Sequence, residues 1–346
     1  APSGATVVPA GTHTQSQMES YIKKAEAGNK ILYLASGVHY MNETWILAAD
    51  GVKITGAGMW YTKLQFTNSG MGSGGICGEK TGYCQGVEFC NMYINSNLHS
   101  RFDQQANYKC FRDLFAKGTS IHDVWEEHFE CGFWIGRYDS NSINKESDLN
   151  IYNCRVRNNF ADGINFCQGT RDSNVHNCDI RNNGDDGLAM WNATDFQPDD
   201  EYNNTFCYNT VEFIWRAGGI AVYGGEGHKV YNNYIRDTFT AAGIHMNTNF
   251  SGCQFNNTTK IEVANNVLVR TGTNKDSWNE SLGAIDVSGG VNNVTFSNNE
   301  IYDAQANGIR TFNFNGKGVS MNNTLIFGVG LDKMNDDYSC SKHSEV

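Results

Sequence analysis

Short apolar stretches separated by Gly, Asn and Asp turns run through most of the chain. Before the first regular repeat they predict strands at residues 30–34, 38–41, 44–47, 52–54 and 63–66. One earlier segment has helical periodicity, with apolar residues at Met18, Tyr21, Ile22 and Ala25. We predict a short helix from Gln15 to Ala27 that ends at Gly28, and we interpret residues 1–30 as an N-terminal cap on the strands.

From about residue 87 the strands recur in a repeat, with an Asn at one turn and the pattern Gly-apolar-x-apolar after the next. The anchoring Asn recurs at Asn153, Asn177, Asn209, Asn232, Asn265, Asn298 and Asn322. The period is roughly 24 residues, with insertions near residues 195–203, 249–258 and 273–282. A constant period with insertions at particular corners indicates an all-β solenoid, and coils of this size indicate a parallel β-helix. A β-propeller is the alternative, but its blades are longer and would not share an Asn column.

An Asn at the same corner of successive coils has two physical uses. It tolerates a left-handed backbone, and its side-chain amide can bond to the Asn of the next coil. We expect one β-helix domain over residues 1–346. The pattern is lost from Asp332 onward, so we expect residues 332–346 to form a C-terminal tail that covers the last coil.

Alternate residues of a strand face the core, so the residue between each inward apolar pair faces outward. On the strands after the Gly turn, this outward column is Trp134, Asn165, Ala189, Ala221, His245, Asp286 and Arg310. Two places further along, the same face carries Trp191, Tyr223, Asn247, Ser288 and Phe312. Aromatic rings beside small residues predict a groove in which sugar rings stack, with Trp191 and Tyr223 as its main platforms. The alternative is that these rings pack beneath inserted loops.

Three aspartates, Asp162, Asp185 and Asp186, lie in two adjacent copies of the repeat. Asp162 and Asp186 occupy equivalent positions, and adjacent coils are about 4.8 Å apart, so their side chains should be neighbours with Asp185 beside them. Other coils carry Gly218, Ala242 and Asn307 there, so the repeat itself does not require an acid. Clustered carboxylates repel one another unless they share a proton, bind a metal or act in chemistry. We predict catalysis, with a calcium site or ordinary turn chemistry as the alternatives.

The outward column continues past the aspartates. His245 and Asp286 follow Asp186 by two and three coils, about 10–15 Å away, which suits a sugar subsite better than the cleavage point. For His245 the alternative is an exposed residue flanked by loops. We predict substrate binding by Trp134, Asn165, Trp191, Tyr223, His245, Asp286 and Arg310.

The amino-acid composition limits the kinds of molecule that the chain can bind. The net charge of -11 argues against nucleic acid and against anionic polymers, which both select clustered Lys and Arg. The chain has no apolar run long enough to span a membrane. A neutral or cationic partner fits better, and we expect a monomer.

The cysteines and sequons favour a secreted, extracellular protein. Eleven cysteines favour oxidising surroundings, and the chain starts at Ala1 with no leader, as a processed protein would. Cys77 and Cys84 would close a short loop, while Cys154 and Cys178 stack one repeat apart, either as a disulfide or as buried thiols. Glycosylation sequons begin at Asn42, Asn192, Asn203, Asn249, Asn256, Asn257, Asn279, Asn293 and Asn322.

Residues 160–166 and 183–191, which contain the three aspartates, closely resemble the catalytic core of glycoside hydrolase family 87, the α-1,3-glucanases and mycodextranases. The resemblance spans roughly residues 120–315. It implies a right-handed parallel β-helix of the pectate-lyase kind and endo-hydrolysis of α-1,3-glucan with inversion. It also implies that Asp185 is the general acid and that Asp162 with Asp186 activates water. An inverting acid and base would lie about 6.5–9.5 Å apart.

Related chemistries on this fold fit less well. Polygalacturonases carry Gly-His-Gly and Arg-Ile-Lys motifs, which this chain lacks, and lyases usually need a Lys or Arg base. We therefore expect a secreted endo-α-1,3-glucanase that uses no cofactor, with structural calcium as the alternative. Cleavage of α-1,4 or α-1,6 bonds in another α-glucan, as by mycodextranase or dextranase, and glycan binding without catalysis are the competing hypotheses.

Overall fold

The structure is a computed structural model of the 346-residue chain. It describes residues 1–69, 74–78, 84–101, 108–113, 115–136, 148–167, 169–195, 200–275 and 279–331, together with the backbone of 334–336. The expected all-β, right-handed parallel β-helix is confirmed, because the named strands pair in parallel with the equivalent strands of the next coil.

Each coil contributes strands to three faces. The first and second faces belong to one 22-stranded sheet, and the third face is a separate 11-stranded sheet. First-face strands are Thr6–Val8, Ile31–Leu34, Lys53–Thr55, Asn150–Tyr152, Asn174–His176, Thr205–Cys207, Lys229–Tyr231, Ile261–Ala264, Val294–Ser297 and Val319–Asn322. Second-face strands are Gly11–Thr12, Gly37–Met41, Thr62–Phe66, Arg155–Arg157, Asp179–Arg181, Thr210–Glu212, Tyr234–Arg236, Val267–Val269, Glu300–Ala304 and Leu325–Val329. Two long strands, Glu88–Ser96 and Ser120–Glu127, run through both faces.

The third face carries the outward column predicted from the sequence. Its strands are Trp45–Leu47, Ile76–Gly78, Lys109–Asp113, Cys131–Ile135, Ile164–Cys167, Leu188–Trp191, Ile220–Tyr223, Ile244–Met246, Ile285–Ser288, Ile309–Phe312 and Met334–Asp336. A two-stranded sheet pairs Cys84–Gln85 with Phe115–Ala116. Apolar side chains from all three faces meet in one buried core along the solenoid axis. In the N-terminal half Phe111 lies at its centre, stacked on Phe133 at 4.7 Å and edge-on to Phe89 at 5.3 Å between ring centroids.

At the corner between the first and second faces, the Asn residues fall into two adjacent columns rather than the single predicted one. Left-handed backbone occurs at Asn153, Asn177, Tyr208, Asn232, Asn265, Asn298 and Asn323. The residue after each corner points inward, and there Asn209, Asn233, Asn266 and Asn299 form the bonded ladder. The predicted column was therefore wrong by one residue at two places. Asn209 belongs to the ladder, and Asn322 precedes the corner residue Asn323.

The ladder satisfies buried polar groups where the chain changes direction. Asn266 donates from Nδ2 to Asn299 Oδ1 at 3.0 Å and to the Val230 carbonyl at 2.9 Å. Its own Oδ1 accepts from the backbone N–H and the side-chain amide of Asn233, both at 3.0 Å. Asn266 thus bonds to the coil before and to the coil after, and such bonds fix the register of successive coils.

Cysteines extend this column toward the N-terminus. Cys154 and Cys178 lie at the ladder position of their coils, and the Cys178 backbone N–H donates to Asn209 Oδ1 at 3.0 Å. The cysteines of the described ranges are buried, Cys77 and Cys84 among them. Of the two alternatives left open for Cys154 and Cys178, a disulfide or buried thiols, the structure has buried thiols. Burial raises the pKa of the Cys154 thiol well above its ordinary value, which keeps it neutral.

The predicted helix forms over Gln15–Ala27, with a capping box between Thr14 and Gln17. It buries Met18, Ile22 and Ala25 against the first coil's strands. Of the predicted tail, only the backbone of 334–336 lies within the described residues, where it pairs with Ile309–Thr311. In the described part of the chain, no helix has the length and apolarity needed to cross a membrane.

We expect Asn266→Ala to lower the free energy of unfolding by roughly 2–4 kcal/mol, because it leaves buried donors and acceptors of two neighbouring coils without partners. Chemical denaturation measures the change. The control is Asn174→Ala, an Asn on the outer surface of the first face, which should change stability by less than about 0.5 kcal/mol. Equal effects of the two substitutions would show that the ladder does not stabilise the coil register.

Candidate active site

The three aspartates meet at the corner between the second and third faces. Ile164 pairs with Leu188, which places Asp162 and Asp186 at the same position of adjacent coils. One carboxylate oxygen from each aspartate lies within 4.8 Å of the other two. The glycines after Asp162 and Asp186 allow this approach, since a Cβ at Gly187 would meet the Gly219 carbonyl oxygen at 2.6 Å.

Asp185 is held by two arginines from distant parts of the chain. Arg101 Nη2 lies 2.8 Å and Arg216 Nη1 lies 2.6 Å from the same oxygen, Oδ2. Arg101 also donates to the Phe160 carbonyl at 3.3 Å, which ties its loop to the catalytic corner. Two cations at one oxygen fix the orientation of the carboxyl group, and among the described residues no hydrogen bond to Oδ1 is found.

Asp186 is buried and accepts hydrogen bonds at both oxygens. The Gly218 backbone N–H donates to Oδ1 at 2.8 Å, and the Tyr223 hydroxyl donates to Oδ2 at 2.9 Å. Burial, followed by the charge of Asp185, raises the pKa of Asp186 to about 7 against the lowering effect of these donors. Its neighbour Asp162 is equally buried, and burial together with the charges of Asp185 and Asp186 raises the pKa of Asp162 well above its ordinary value. The buried pair therefore retains a proton near neutral pH.

The aspartates open into a cavity of about 570 Å³. Its lining residues are Arg101, Lys109, Arg112, Asp113, Glu130, Trp134, Ala161, Asp162, Asn165, Asp185, Asp186, Trp191, Tyr223 and Phe250. Four of the seven predicted substrate-binding residues are among them, namely Trp134, Asn165, Trp191 and Tyr223. Trp134 and Trp191 pack edge to face with ring centroids 5.6 Å apart, and both remain partly exposed. They supply the aromatic surface on which a sugar ring can stack.

Tyr223 has a different place from the predicted one. Its side chain is only 7% exposed, and its ring packs against Phe250 at 5.0 Å between centroids. The hydroxyl is committed to Asp186. Tyr223 is therefore a hydrogen-bond donor to the carboxylate cluster rather than an exposed stacking platform, because the inserted loop that carries Phe250 covers it.

The rest of the predicted column lies outside the cavity lining. His245, Asp286 and Arg310 follow one another in register along the third face, as expected. Asp286 is fully buried and accepts from Arg310 Nε at 2.6 Å, from Arg310 Nη2 at 3.2 Å and from the Gly283 backbone N–H at 3.0 Å. His245 Nε2 lies 3.6 Å from the same carboxylate. The predicted contact of Asp286 with substrate is wrong for this geometry, because opposite charges in adjacent coils pair with each other.

Several lining residues were not predicted. Arg112 pairs in register with Trp134, so extending the outward column by one coil would have reached it. Lys109 begins the same strand and bonds to Glu130 at 2.7 Å, with its ammonium 4.7 Å from the centre of the Trp134 ring. Phe250 lies in one of the predicted insertions. The sequence carries no repeat signal at Arg101, because this residue lies in the segment that connects the strands Glu88–Ser96 and Lys109–Asp113.

The facing oxygens of the three carboxylates lie within 4.8 Å of one another. Three oxygen donors at this spacing suit a cation, and Arg101 and Arg216 already place positive charge at the Asp185 oxygen.

We expect Asp162→Asn to raise the melting temperature by a few degrees at pH 7 and to leave it unchanged near pH 4. In the folded chain the raised pKa keeps the Asp162 carboxyl protonated, whereas in the unfolded chain it ionises above its ordinary pKa of 3.8. The free energy by which Asp162 destabilises the folded chain therefore grows as the pH rises from about 3.8 toward neutral. Thermal unfolding at both pH values measures the difference, with the exposed Asp50→Asn as the control. A loss of stability at pH 7, or an equal gain at pH 4, would contradict the raised pKa.

Several solved structures resemble this chain. The Agl-KA catalytic domain superposes with a TM-score of 0.86 at 41% identity, covering 91% of this chain and 56% of that domain. A GH87 alpha-1,3-glucanase catalytic domain in complex with tetrasaccharides has a TM-score of 0.78 at 21% identity, covering 100% of this chain and 68% of its own. The mannuronan C-5 epimerase AlgE6 A-module of Azotobacter vinelandii has a TM-score of 0.60 at 15% identity, covering 97% and 95%. This last pair shares the fold alone.

The chain thus spans little more than half of the Agl-KA catalytic domain. No curated protein sequence matches it significantly. The family model described as alpha-1,3-glucanase catalytic domain D2 matches residues 12–344, nearly the whole chain. Together with the likeness to Agl-KA, this match shows that the chain belongs to the alpha-1,3-glucanase catalytic domain family, glycoside hydrolase family 87.

Proposed function

We propose that this chain is a glycoside hydrolase that cleaves α-1,3-glucan within the polymer. The observation that carries the proposal is the cluster of Asp162, Asp185 and Asp186 at the floor of a cavity lined by two tryptophans. Relatives support it, since solved GH87 domains hold nigerose or tetrasaccharides. Among those domains three different aspartates are replaced by alanine, and their spacing matches that of Asp162, Asp185 and Asp186.

Asp185 fits the role of general acid. The two arginines engage its Oδ2, so Oδ1 is the oxygen that would carry the proton to the glycosidic oxygen. Its side chain is 22% exposed, whereas Asp162 and Asp186 are buried. Asp185 is thus the aspartate of the cluster that a bound polymer reaches most easily.

Asp162 and Asp186 fit the role of a water-binding base. Both oxygens of Asp186 already accept hydrogen bonds, which makes this carboxylate a poor covalent nucleophile and a rigid acceptor for water. The proton shared by the pair must leave before the pair can remove one from water, so we expect activity to rise as the pair ionises. Attack by water in a single displacement inverts the anomeric carbon, and inversion is therefore part of the proposal.

The same site can work without a metal ion. Arg101 and Arg216 supply positive charge next to the carboxylates, which is the electrostatic role a cation would otherwise have. We also propose that the enzyme is secreted and monomeric, because it acts on a polymer that is met outside the cell. The net charge of -11 argues against nucleic acid as a partner. We do not expect a glycan on Asn192, although it begins a sequon, because its side chain is fully buried and bonded to Asp200 and Gln254.

Incubation with insoluble α-1,3-glucan should release reducing ends, and Asp162→Asn, Asp185→Asn and Asp186→Asn should each lower the rate by about 10²–10⁴-fold. Asp50→Asn, which changes an exposed aspartate outside the cavity, should keep the wild-type rate. Parallel incubations with α-1,4- and α-1,6-linked glucans identify the linkage. Absence of release from every α-glucan would overturn the hydrolase proposal and favour a glycan-binding role.

Arg216→Gln should lower kcat by about tenfold or more with little change in KM, because the substitution frees the Asp185 carboxyl group without removing a sugar contact. Arg216→Lys should restore part of kcat, since an ammonium can still reach one oxygen. The control is Arg236→Gln, an arginine of the next coil that pairs with Glu212 on the second face. A rise in KM at constant kcat would show instead that Arg216 binds substrate.

A further inference from the structure

A column of side chains on the outer surface of the first face has no part in the proposed hydrolysis. In register along successive coils it contains Thr55, Cys90, His122, Tyr152, His176, Cys207 and Tyr231. Cysteine and histidine are therefore neighbours twice, at Cys90 with His122 and at Cys207 with His176. This column lies on the 22-stranded sheet, whereas the catalytic cavity opens on the 11-stranded sheet.

The first of these pairs has a carboxylate beside it. Glu88 precedes Cys90 by two positions on the same strand, so both side chains face outward. Glu88 Oε1 lies 3.2 Å from His122 Nε2 and 3.8 Å from Cys90 Sγ, and the three donor atoms lie within 4.8 Å of one another. Ligands of a tetrahedral zinc ion, at about 2.0–2.3 Å from the metal, are roughly 3.3–3.7 Å apart. The three groups already have nearly this spacing.

The ring of His122 is fixed so that Nε2 faces the cluster. Its Nδ1 lies 2.7 Å from Asp123 Oδ2, and the ring stacks on Tyr152 with centroids 4.6 Å apart and planes 9° apart. A carboxylate on the second nitrogen is the partner that metal-binding histidines commonly have, because it orients the ring and makes it a stronger ligand.

The second Cys–His pair of the column, Cys207 with His176, serves as a comparison for the first. His176 has the same neighbourhood, with Cys207 in the adjacent coil and Nδ1 2.8 Å from Asn177 Oδ1. There an Asn replaces Asp123, and the position of Glu88 is taken by Asn174 and Thr205 in their coils. Among the described residues, the first Cys–His pair belongs to a group of potential metal ligands, and the second does not.

We propose that Glu88, Cys90 and His122 bind one divalent transition-metal ion, with Zn²⁺ as the best match to a thiolate, an imidazole and a carboxylate. Three protein ligands leave one position for water. The ion would join two successive coils near the N-terminal end of the solenoid.

The Lys53 ammonium group competes with a metal ion for the Glu88 carboxylate. Its Nζ lies 2.6 Å from Glu88 Oε1, and its side chain is 40% exposed. An exposed lysine can move into water at small cost, whereas a metal ion and an ammonium group at the same oxygen repel each other. Removal of this ammonium should therefore tighten metal binding.

The test is a titration of the full-length, reduced and metal-free protein with Co²⁺, followed by displacement with Zn²⁺. We expect one equivalent of Co²⁺ to produce a thiolate-to-cobalt charge-transfer absorption band that Zn²⁺ abolishes. Cys90→Ser should lose the band, and Cys207→Ser, its matched control, should keep it. Asp123→Asn should weaken binding by about 10–100-fold, and Lys53→Met should strengthen it.

The outcomes separate a metal site from a network of hydrogen bonds and ion pairs. A missing or non-saturating band in the wild type, a band that persists in Cys90→Ser, or equal losses in Cys90→Ser and Cys207→Ser would each overturn the proposal. Glu88→Gln changes a partly exposed side chain and gives a second variant should Cys90→Ser unfold, as circular dichroism would show. Glucan cleavage should stay at the wild-type rate in Glu88→Gln, so this proposal and the proposed hydrolysis fail independently.

Discussion

Parallel, in-register stacking of the coils is the constraint on which the rest of the structure depends. Each residue has its equivalents in the coils before and after as neighbours about 4.8 Å away. Side chains of one type therefore form columns. Whether neighbouring side chains in a column attract or repel each other decides whether the column stabilises the fold or strains it. Buried amides form a ladder from Asn209 to Asn299, while carboxylates at Asp162 and Asp186 are forced together.

The corner that holds Asp162, Asp185 and Asp186 shows the effect of this forced proximity. Burial and mutual repulsion keep a proton on the Asp162–Asp186 pair near neutral pH, and the backbone N–H of Gly218 with the Tyr223 hydroxyl compensates part of the cost at Asp186. Arg101 and Arg216 offset the charge of Asp185 from outside the column. The corner therefore carries electrostatic strain that the surrounding coils must hold in place, as is common at sites kept for chemistry rather than for stability.

Much of the fold could be predicted because the repeat makes it periodic. The period gave the coils, the alternation gave the outward column from Trp134 to Arg310, and helical spacing gave the cap over Gln15–Ala27. The error in the Asn column arose because the left-handed corner residue and the inward ladder residue are adjacent, and Asn occupies both in several coils.

The less predictable features depend on interactions between columns or with loops. Tyr223 is buried because an inserted loop places Phe250 over it. Asp286 pairs with Arg310 of the next coil, so its carboxylate is not available to a substrate. Arg101 reaches Asp185 from a segment with no repeat signal. Periodicity places a side chain on a face, but it does not determine what a loop or a neighbouring charge does to that side chain.

The assignment of water as the nucleophile, bound by Asp162 and Asp186 while Asp185 donates the proton, is the central claim. Proton NMR of a soluble α-1,3-linked oligosaccharide during the first minutes of cleavage tests it most directly, because mutarotation has not yet mixed the anomers. We expect the β-anomer of the new reducing end to appear first. If the α-anomer appears first, a carboxylate rather than water attacks the sugar, and the assignment is wrong.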